Sequence, residues 1–446
     1  MSRNLTHKTN LFFLFIGVFS FLFLWDIKTD FFEFRYLIIL PLFTTILIFY
    51  SSNPIKILAD FGIPILIFIH LVILSFFLKY NLNERDFYGL IFFTIIFFVV
   101  TKNTDSIYRN LHTILNIFLI IFIIGYLVFF LYSNSSFVFS CYNGWFFRTK
   151  FIFLENSHFA IISVPIINYY SLYFSEHKIF NKKDLVILFF AIVFMLISYS
   201  NFSTTFLVGL ALSQMMILFK KYSNPKFFFF SVYVIIVCVI TLFSYEQCSE
   251  RSFGAIKPLK NFYFFKKSQN LSENEILKIG ENKQFNKKFI DNYAKFRLKE
   301  KKSVSMSVET FVVSLEITWK SLFDKPFGVG FNKYYLSHSD YINKILLSDP
   351  HIKKNNIMDG STNISKLITE FGIFGILIIL SLLIFYFRNK KIKNLEFFLL
   401  SLISMQFLRG VGYFNGGFLF AYLLIFYKLI YYNNLNFMFI KQWQKY

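Results

Sequence analysis

The chain has 446 residues, of which 56% are hydrophobic and only 16% are charged, and its mean hydropathy is +0.55. Soluble domains carry about 25% charged residues, so this composition excludes an ordinary soluble protein. The net charge of +21 would suit a nucleic-acid-binding protein, but the basic residues lie mainly in loops between apolar segments. That distribution is typical of membrane proteins, and no nucleic-acid partner is expected.

Apolar runs of 15 to 20 residues recur along the chain. A helix needs about 20 residues to cross the hydrocarbon core of a bilayer. The pattern therefore predicts an all-α polytopic integral membrane protein with about 12 transmembrane helices. The predicted spans cover roughly residues 11–25, 34–50, 61–79, 87–100, 114–132, 158–174, 185–200, 203–219, 227–245, 366–387, 395–409 and 413–432.

One long polar stretch, Glu246–Ser365, separates the ninth and tenth spans and holds 20 of the 46 Lys/Arg and 13 of the 25 Asp/Glu. We expect a large, mainly helical loop domain here, between a transmembrane bundle at 1–245 and a second bundle at 366–446. Within the loop, the apolar periodicity of Ser305–Phe323 predicts a helix that lies on the membrane or on the domain. The Pro and two Gly of Asp324–Phe331 predict a turn.

The short loops set the orientation. With the N-terminus inside, the inside segments hold 17 Lys/Arg and the short outside segments hold 6. The positive-inside rule then places both termini in the cytoplasm and the long loop in the periplasm of a bacterial inner membrane. Cys141 and Cys248 fall outside, where an oxidising periplasm permits a disulfide between them.

Ionisable residues at the ends of spans are the first candidates for chemistry, because charges near hydrocarbon are costly and tend to be functional. Glu155 and His158 are three residues apart at the head of the sixth span, so they share a helix face. This pair suits an acid–base site or a site for sugar hydroxyls. Capping of the helix start, with Glu155 favoured by the helix dipole, explains it equally well.

A second group lies at the junction between the long loop and the tenth span. Asp359 stands in a Gly-containing turn and is the first candidate for a base. Lys366 and Glu370 follow at helical spacing, which also fits a simple ion pair four residues apart. His338 is a lone histidine in the loop, and a structural or surface role explains it as well as a binding role does.

Two arginines stand in outside hinges that are far apart in sequence. Arg148 follows the fifth span, and Arg409 lies in a glycine-dense turn between the last two spans. A guanidinium group can bond two phosphate oxygens at once, so the pair suits a phosphate-containing substrate. Ordinary anchoring of arginine at the membrane interface is the alternative.

Four segments together resemble the bacterial O-antigen polymerases of the Wzy type, and the resemblance runs along the whole chain. They are Phe153–Ala160, Lys325–Asn332, Asp359–Ile373 and Leu408–Gly417. The resemblance implies glycosyl transfer on the periplasmic face, without metal or other cofactor. The donor and acceptor would be oligosaccharide repeat units linked to undecaprenyl pyrophosphate, and the product would be a surface polysaccharide such as O-antigen or capsule.

The same resemblance implies roles for the candidates. A carboxylate or histidine would take the proton of the acceptor hydroxyl: Asp359, Glu155, His158 or Glu370. Cationic and polar groups would hold pyrophosphate or glycan: Arg148, Arg409, Arg297, Lys366 and His338. The resemblance implies an arginine near residues 305–309, where this chain has none, so Arg297 is the candidate that would take its place. The lipid bilayer, a chain-length regulator and a flippase are the further expected partners.

Two other functions stay open. An O-antigen ligase shares the architecture but transfers glycan to the lipid A core, and Asp359 in place of a histidine-containing motif favours the polymerase. A flippase or other transporter of lipid-linked glycan would need charged or broken helices near the middle of the membrane. The predicted spans are nearly free of charge at those positions.

Overall fold

The computed structural model describes residues 2–29, 32–50, 61–132, 156–176, 181–200, 204–221, 228, 231–236, 238, 306–345, 350–388 and 392–432. Within these ranges the regular elements are helices, and no β-strand occurs beyond one isolated bridge between Lys28 and Glu33. The predicted all-α class is therefore confirmed.

The α-helices are numbered here in chain order. They are α1 Ser2–Phe23, α2 Leu40–Tyr50, α3 Gly62–Phe77, α4 Glu84–Lys102, α5 Thr104–Tyr132, α6 Asn156–Glu176, α7 Lys182–Ser200, α8 Thr204–Lys221, α9 Met306–Asp324, α10 Tyr334–Ile342, α11 Asn363–Phe371, α12 Ile373–Arg388, α13 Asn394–Leu408 and α14 Phe418–Tyr432. Short 3-10 helices cover Phe34–Ile39 and Pro350–Lys354. The predicted second span, 34–50, thus begins as a 3-10 helix.

The chain divides into two compact units, each described by itself. The larger unit comprises residues 1–139, 143–235 and 380–446, and the smaller unit comprises 140–142 and 236–379. Because all of 246–305 lies outside the described residues, the division at 1–245, 246–365 and 366–446 stays a prediction.

Two helices, α6 and α13, form the centre of the larger unit. Every residue of α6 from Phe159 to Tyr170 is buried, and so is every residue of α13 from Glu396 to Ile403. The two helices pack against each other. Helices that are apolar and buried on all sides occur in the interior of a bundle rather than at its surface.

A chain of buried amides and hydroxyls links these central helices to α8. Asn168 donates from Nδ2 to Ser401 Oγ at 2.8 Å, and Gln214 donates from Nε2 to Asn168 Oδ1 at 2.6 Å. Ser231 donates in turn to Gln214 Oε1 at 2.8 Å. Since a buried polar group without a partner is costly, these bonds fix how the helices are aligned.

The outward positions of many helices in the larger unit carry large apolar side chains. Phe76, Phe77, Leu131 and Phe219 are all strongly exposed. Soluble proteins rarely expose large contiguous apolar surfaces. By length and composition, one described helix, Thr104–Val128, could cross a membrane, and seven other apolar helices have 10–17 residues. The figure of twelve spans therefore stays a prediction.

In its described part, the smaller unit contains α9, α10, α11 and the start of α12. Helix α9 packs against both α10 and α11. The helix predicted over Ser305–Phe323 is confirmed as α9. A small apolar core holds these elements together: Val313, Ile317, Tyr334, Tyr341, Ile342, Ile345 and Ile352.

The predicted tenth span, 366–387, is wrong as a single helix. It is broken at Gly372, which has a φ of +57° and caps α11 before α12 begins at Ile373. Lys366 and Glu370 therefore lie on the short helix α11 and not at the head of a continuous span. Of the cysteines, Cys238 is buried, while Cys141 and Cys248 lie outside the described residues.

Candidate functional site

In the smaller unit, the turn that precedes Asn332 docks directly on the break between α11 and α12. The N–H of Gly330 donates to the carbonyl of Glu370 at 2.9 Å, and the N–H of Ile373 donates to the carbonyl of Pro326 at 2.9 Å. Two of the four segments that carry the resemblance, Lys325–Asn332 and Asp359–Ile373, thus contact each other through main-chain bonds.

Replacement of Gly372 by Ala is expected to destabilise the smaller unit by about 3 kcal/mol. The added Cβ would lie 1.9 Å from the carbonyl oxygen of Pro326, at a φ that L side chains rarely adopt. Gly62→Ala is the matched control, because its added Cβ meets no heavy atom of the described residues within 4 Å beyond its chain neighbours and its own helix. Thermal unfolding of the purified protein in detergent measures both, and equal midpoints would contradict the tight contact at Gly372.

Glu370 lies at the centre of this contact, with no exposed surface. Its carboxylate accepts the N–H of Asn332 at 2.8 Å through Oε2 and the N–H of Tyr334 at 3.2 Å through Oε1. Tyr334 is the first residue of α10, so a negative charge at Glu370 also interacts well with that helix start. The geometry favours a positioning role for Glu370, because its carboxylate is directed at the backbone.

Lys366 lies between Glu370 and Asp359. Its side chain is 3% exposed, and Nζ donates to Asp359 Oδ1 and to the carbonyl of Met358, each at 3.0 Å. The distance from Nζ to Glu370 Oε1 is 3.9 Å, so the pair four residues apart is the looser of the two ion pairs. Asp359 stays 44% exposed on its side chain. The three side chains thus form a row, from the buried carboxylate of Glu370 through the buried ammonium group of Lys366 to the partly exposed carboxylate of Asp359.

The turn that presents Asp359 is tightly constrained. Asn356, Gly360 and Ser361 all have positive φ angles, and Asn356 Nδ2 donates to Ser361 Oγ at 2.8 Å. From α9, Ser314 Oγ donates to the carbonyl of Gly360. Backbone conformations of this kind cost energy and cluster at functional sites. The turn therefore holds the open carboxylate in one place.

A small cavity of about 10 Å³, room for about one water molecule, lies beside this turn. Its wall mixes polar and apolar side chains. It is lined by Thr310, Val313, Ser314, Ile317, Tyr334, His338, Ile352, Asn355, Asn356 and Gly360. His338 is buried here, and its burial lowers the pKa of the imidazole to about 4.

The buried imidazole predicts a dependence of stability on pH. Because the pKa of His338 falls from 6.5 to about 4 on folding, the unfolded chain binds the proton more readily between these values. Its contribution to stability is complete above about pH 6.5 and is lost as the pH falls toward 4. We expect His338→Gln to lose less stability than the wild type between pH 7 and pH 5. Unfolding midpoints at the two values test this, and an equal loss would contradict it.

In the larger unit, His158 lies in the first turn of α6 and pairs with Asp26. His158 Nδ1 is 2.9 Å from Asp26 Oδ2, and the Trp25 ring packs 5.0 Å from the imidazole. A carboxylate on Nδ1 orients the ring and fixes its tautomer, which suits an acid–base histidine. Asp26 was not among the sequence candidates, although an acidic residue at the outer end of the first predicted span was the available signal.

Arg409 ends α13, and its N–H donates to the carbonyl of Met405 at 2.9 Å. A further arginine was missed because it lay inside the predicted span 34–50. The guanidinium of Arg35 pairs with Glu33 and donates to Asn415, in the glycine-rich turn that follows Arg409. Arg35 thereby ties the 3-10 helix Phe34–Ile39 to that turn.

The smaller unit thus brings Asp359, Lys366 and Glu370 together, with His338 at the neighbouring cavity, whereas His158 and Arg409 belong to the larger unit. Three candidates lie outside the described residues: Glu155, Arg148 and Arg297.

No three His, Cys, Asp or Glu side chains in the part of the chain that the structure describes come together as a metal site would require. Metal-independent chemistry stays a prediction. Comparison with family models, with curated proteins and with solved structures found no match.

Proposed function

We propose that the chain polymerises undecaprenyl-pyrophosphate-linked oligosaccharide repeat units on the periplasmic face of a bacterial inner membrane. The observation that carries the proposal is the half-exposed carboxylate of Asp359, held by the buried ammonium group of Lys366. It lies in one of the four segments that resemble O-antigen polymerases. A fixed, open carboxylate of this kind can accept a proton from a sugar hydroxyl.

In the proposed reaction, the hydroxyl oxygen of the acceptor sugar attacks the anomeric carbon of the donor glycan. A new glycosidic C–O bond forms as the bond from that carbon to the pyrophosphate oxygen breaks. The hydroxyl proton passes to Asp359, and undecaprenyl pyrophosphate leaves as an anion. Lys366 keeps the carboxylate in place, while Glu370 supports the fold from the buried side through Asn332 and Tyr334.

Negative charge grows on the pyrophosphate as the bond breaks, so the reaction needs a cation there. Arg409, Arg148 and Arg297 are the candidates that the resemblance implies for this role. Several glycines follow Arg409 in its turn, with positive φ angles at Gly412, Gly416 and Gly417. In the proposal, Arg35 acts on that turn by bonding Asn415.

The proposed location in a membrane is supported by two observations. The excess of Lys/Arg in one set of short loops follows the positive-inside rule. The outward faces of helices in the larger unit are apolar, with side chains such as Phe76 and Phe219 exposed. A hydrocarbon environment would cover these side chains, whereas water would not.

Deletion of the gene tests the proposed function in the cell. The surface glycan of the deletion strain is separated on a gel beside that of the complemented strain. If the chain is the polymerase, the deletion strain shows a band with a single repeat unit on the lipid A core, and the complemented strain shows the ladder again. A bare core would contradict the proposal and point to a ligase or a flippase.

A further inference from the structure

Helix α9 buries several polar side chains beside the apolar Val313 and Ile317 of the small core. Its buried residues include a carboxylate and four hydroxyl side chains: Glu309, Thr310, Ser314, Thr318 and Ser321. A surface helix of a water-soluble protein keeps polar side chains in water. Because α9 buries most of its hydroxyl groups and exposes large apolar side chains, the environment outside it is expected to be apolar.

Hydrogen bonds fix this orientation of the helix. Thr318 Oγ1 accepts a bond from Thr369 Oγ1 on α11 at 3.1 Å and donates to the carbonyl of Ser314 at 2.8 Å. Ser321 Oγ lies 2.8 Å from Ser337 Oγ on α10. A rotation of α9 that buried its apolar side would break the bonds to α10 and α11 and leave the buried partners unsatisfied.

The outward face of α9 is an apolar stripe. Between residues 309 and 323, the exposed side chains are Leu315, Trp319 and Phe323, which are 41%, 63% and 66% exposed. They are spaced four residues apart and therefore lie in one row along the helix. The Trp319 and Phe323 rings also contact each other, with centroids 4.8 Å apart.

The stripe continues toward α12, the helix that overlaps the predicted tenth span. Phe327 follows α9 in the next turn, is exposed, and lies 6.3 Å from the ring of Phe374 on α12. Leu377, one turn further along α12, is exposed as well. The apolar surface of α9 is thus followed by the surface that the proposed function places against lipid.

The flanks of the stripe fit the boundary between headgroups and acyl chains. Tryptophan favours that depth, because its ring is apolar and its N–H is polar. Lys320 is next to Trp319, whereas Lys325, after the helix, is paired with Asp340. Basic side chains at such a position reach anionic headgroups while their stems stay against apolar groups.

We propose that α9 is an interfacial helix whose stripe of Leu315, Trp319 and Phe323 lies in the outer headgroup region of the bilayer. The inference rests on the membrane location that belongs to the proposed function. Its polar face holds the turn of Asp359 through the bond from Ser314 to Gly360. The helix thereby sets the depth of Asp359 at the level where the pyrophosphate of a lipid-linked substrate lies.

The test places the full chain in nanodiscs of phosphatidylethanolamine and phosphatidylglycerol. Trp25, Trp145 and Trp443 are replaced by Phe, so that Trp319 is the remaining fluorophore. Lipids brominated near the headgroup or near the chain end report its depth by quenching. We expect strong quenching by the shallow bromines and weak quenching by the deep ones. An unquenched, water-like emission would overturn the proposal, as would protection from both lipid and aqueous quenchers, which indicates a protein contact.

A second measurement does not depend on the folding of that triple variant. A spin label at Trp319→Cys is compared with one at Ser339→Cys, an exposed position on α10, in a background without the native cysteines. The label at 319 is expected to relax with oxygen and the label at 339 with an aqueous nickel complex. Equal access of the nickel complex to both would overturn the proposal.

The activity arm compares Trp319→Phe with Trp319→Glu in the deletion strain. The aromatic variant is expected to keep the glycan ladder, and the charged variant to shorten it at least tenfold at equal membrane level. A full ladder from Trp319→Glu would overturn the link between the stripe and the site. The quenching measurement needs no reaction. If the proposed function is wrong, quenching by shallow bromines can still be seen, whereas failure of the lipid contact is seen as a lack of that quenching.

Discussion

Replacement of Asp359 by Asn is expected to reduce the formation of long glycan by at least about a hundredfold, the scale of a lost general base. The amide keeps the size of the side chain and can still accept a bond from Lys366. It cannot take the proton of the acceptor hydroxyl. The glycan ladder of the deletion strain carrying the variant, at a confirmed membrane level, measures the effect.

The chain offers a matched control for this substitution. Asp340 is also bonded to a lysine, with Lys325 Nζ at 2.6 Å, and its side chain is 49% exposed against 44% for Asp359. Asp340→Asn removes a carboxylate of similar exposure away from the Asp359 turn and is expected to leave the ladder intact. A full ladder from Asp359→Asn would show that Asp359 is not the base and would move that role to His158 or Glu155.

Replacement of Glu370 by Gln is expected to destabilise the smaller unit by about 3–5 kcal/mol, because it removes one partner of a buried charge pair. The amide can accept from only one of the two N–H groups, of Asn332 and Tyr334, that the carboxylate satisfies. It also leaves the buried ammonium group of Lys366 with less compensating charge.

Chemical unfolding of the detergent-purified protein measures this loss. The control is Glu316→Gln on α9, a half-buried position where the effect is expected to stay within about 0.5 kcal/mol. An unchanged unfolding free energy for Glu370→Gln together with a lost glycan ladder would contradict the positioning role. That result would favour the catalytic role that the sequence alone suggested.

Hydropathy predicted the helices well but not where they are interrupted. The predicted span 61–79 appears as α3, Gly62–Phe77, and 158–174 appears within α6, Asn156–Glu176. The break at Gly372 was missed, since its neighbours remain apolar across it. What breaks the helix is a main-chain contact with Pro326, 46 residues earlier in the chain, which no local pattern contains.

The candidate site was predicted in its members but only in part of its pairing. The ion pair that helical spacing suggested, Lys366 with Glu370, is present at 3.9 Å, but the turn at Gly360 also folds back and brings Asp359 to the lysine at 3.0 Å. Asp26 and Arg35 were missed for another reason. Asp26 follows the predicted span 11–25, and Arg35 lies near the start of the predicted span 34–50. At such positions a hydropathy average indicates only where a span ends and does not mark a charged residue as functional.

The sequence also did not predict which face of α9 points toward the protein. The periodicity of Ser305–Phe323 predicts an apolar stripe, and the stripe exists in the structure. Which side faces the protein depends on hydroxyl partners on α10 and α11, such as Ser337 and Thr369, and these are distant in the chain. A stripe pattern therefore predicts amphipathicity but leaves open whether the apolar side is covered by protein or by lipid.

The most direct test is a reaction with the purified full-length protein in nanodiscs, supplied with the undecaprenyl-pyrophosphate-linked repeat unit of its own source and no nucleotide. The products are separated by mass. We predict a ladder at whole multiples of the repeat unit, with one undecaprenyl pyrophosphate released for each linkage, and the same ladder in the presence of a chelator. A single repeat unit that persists with folded wild-type protein would contradict the polymerase.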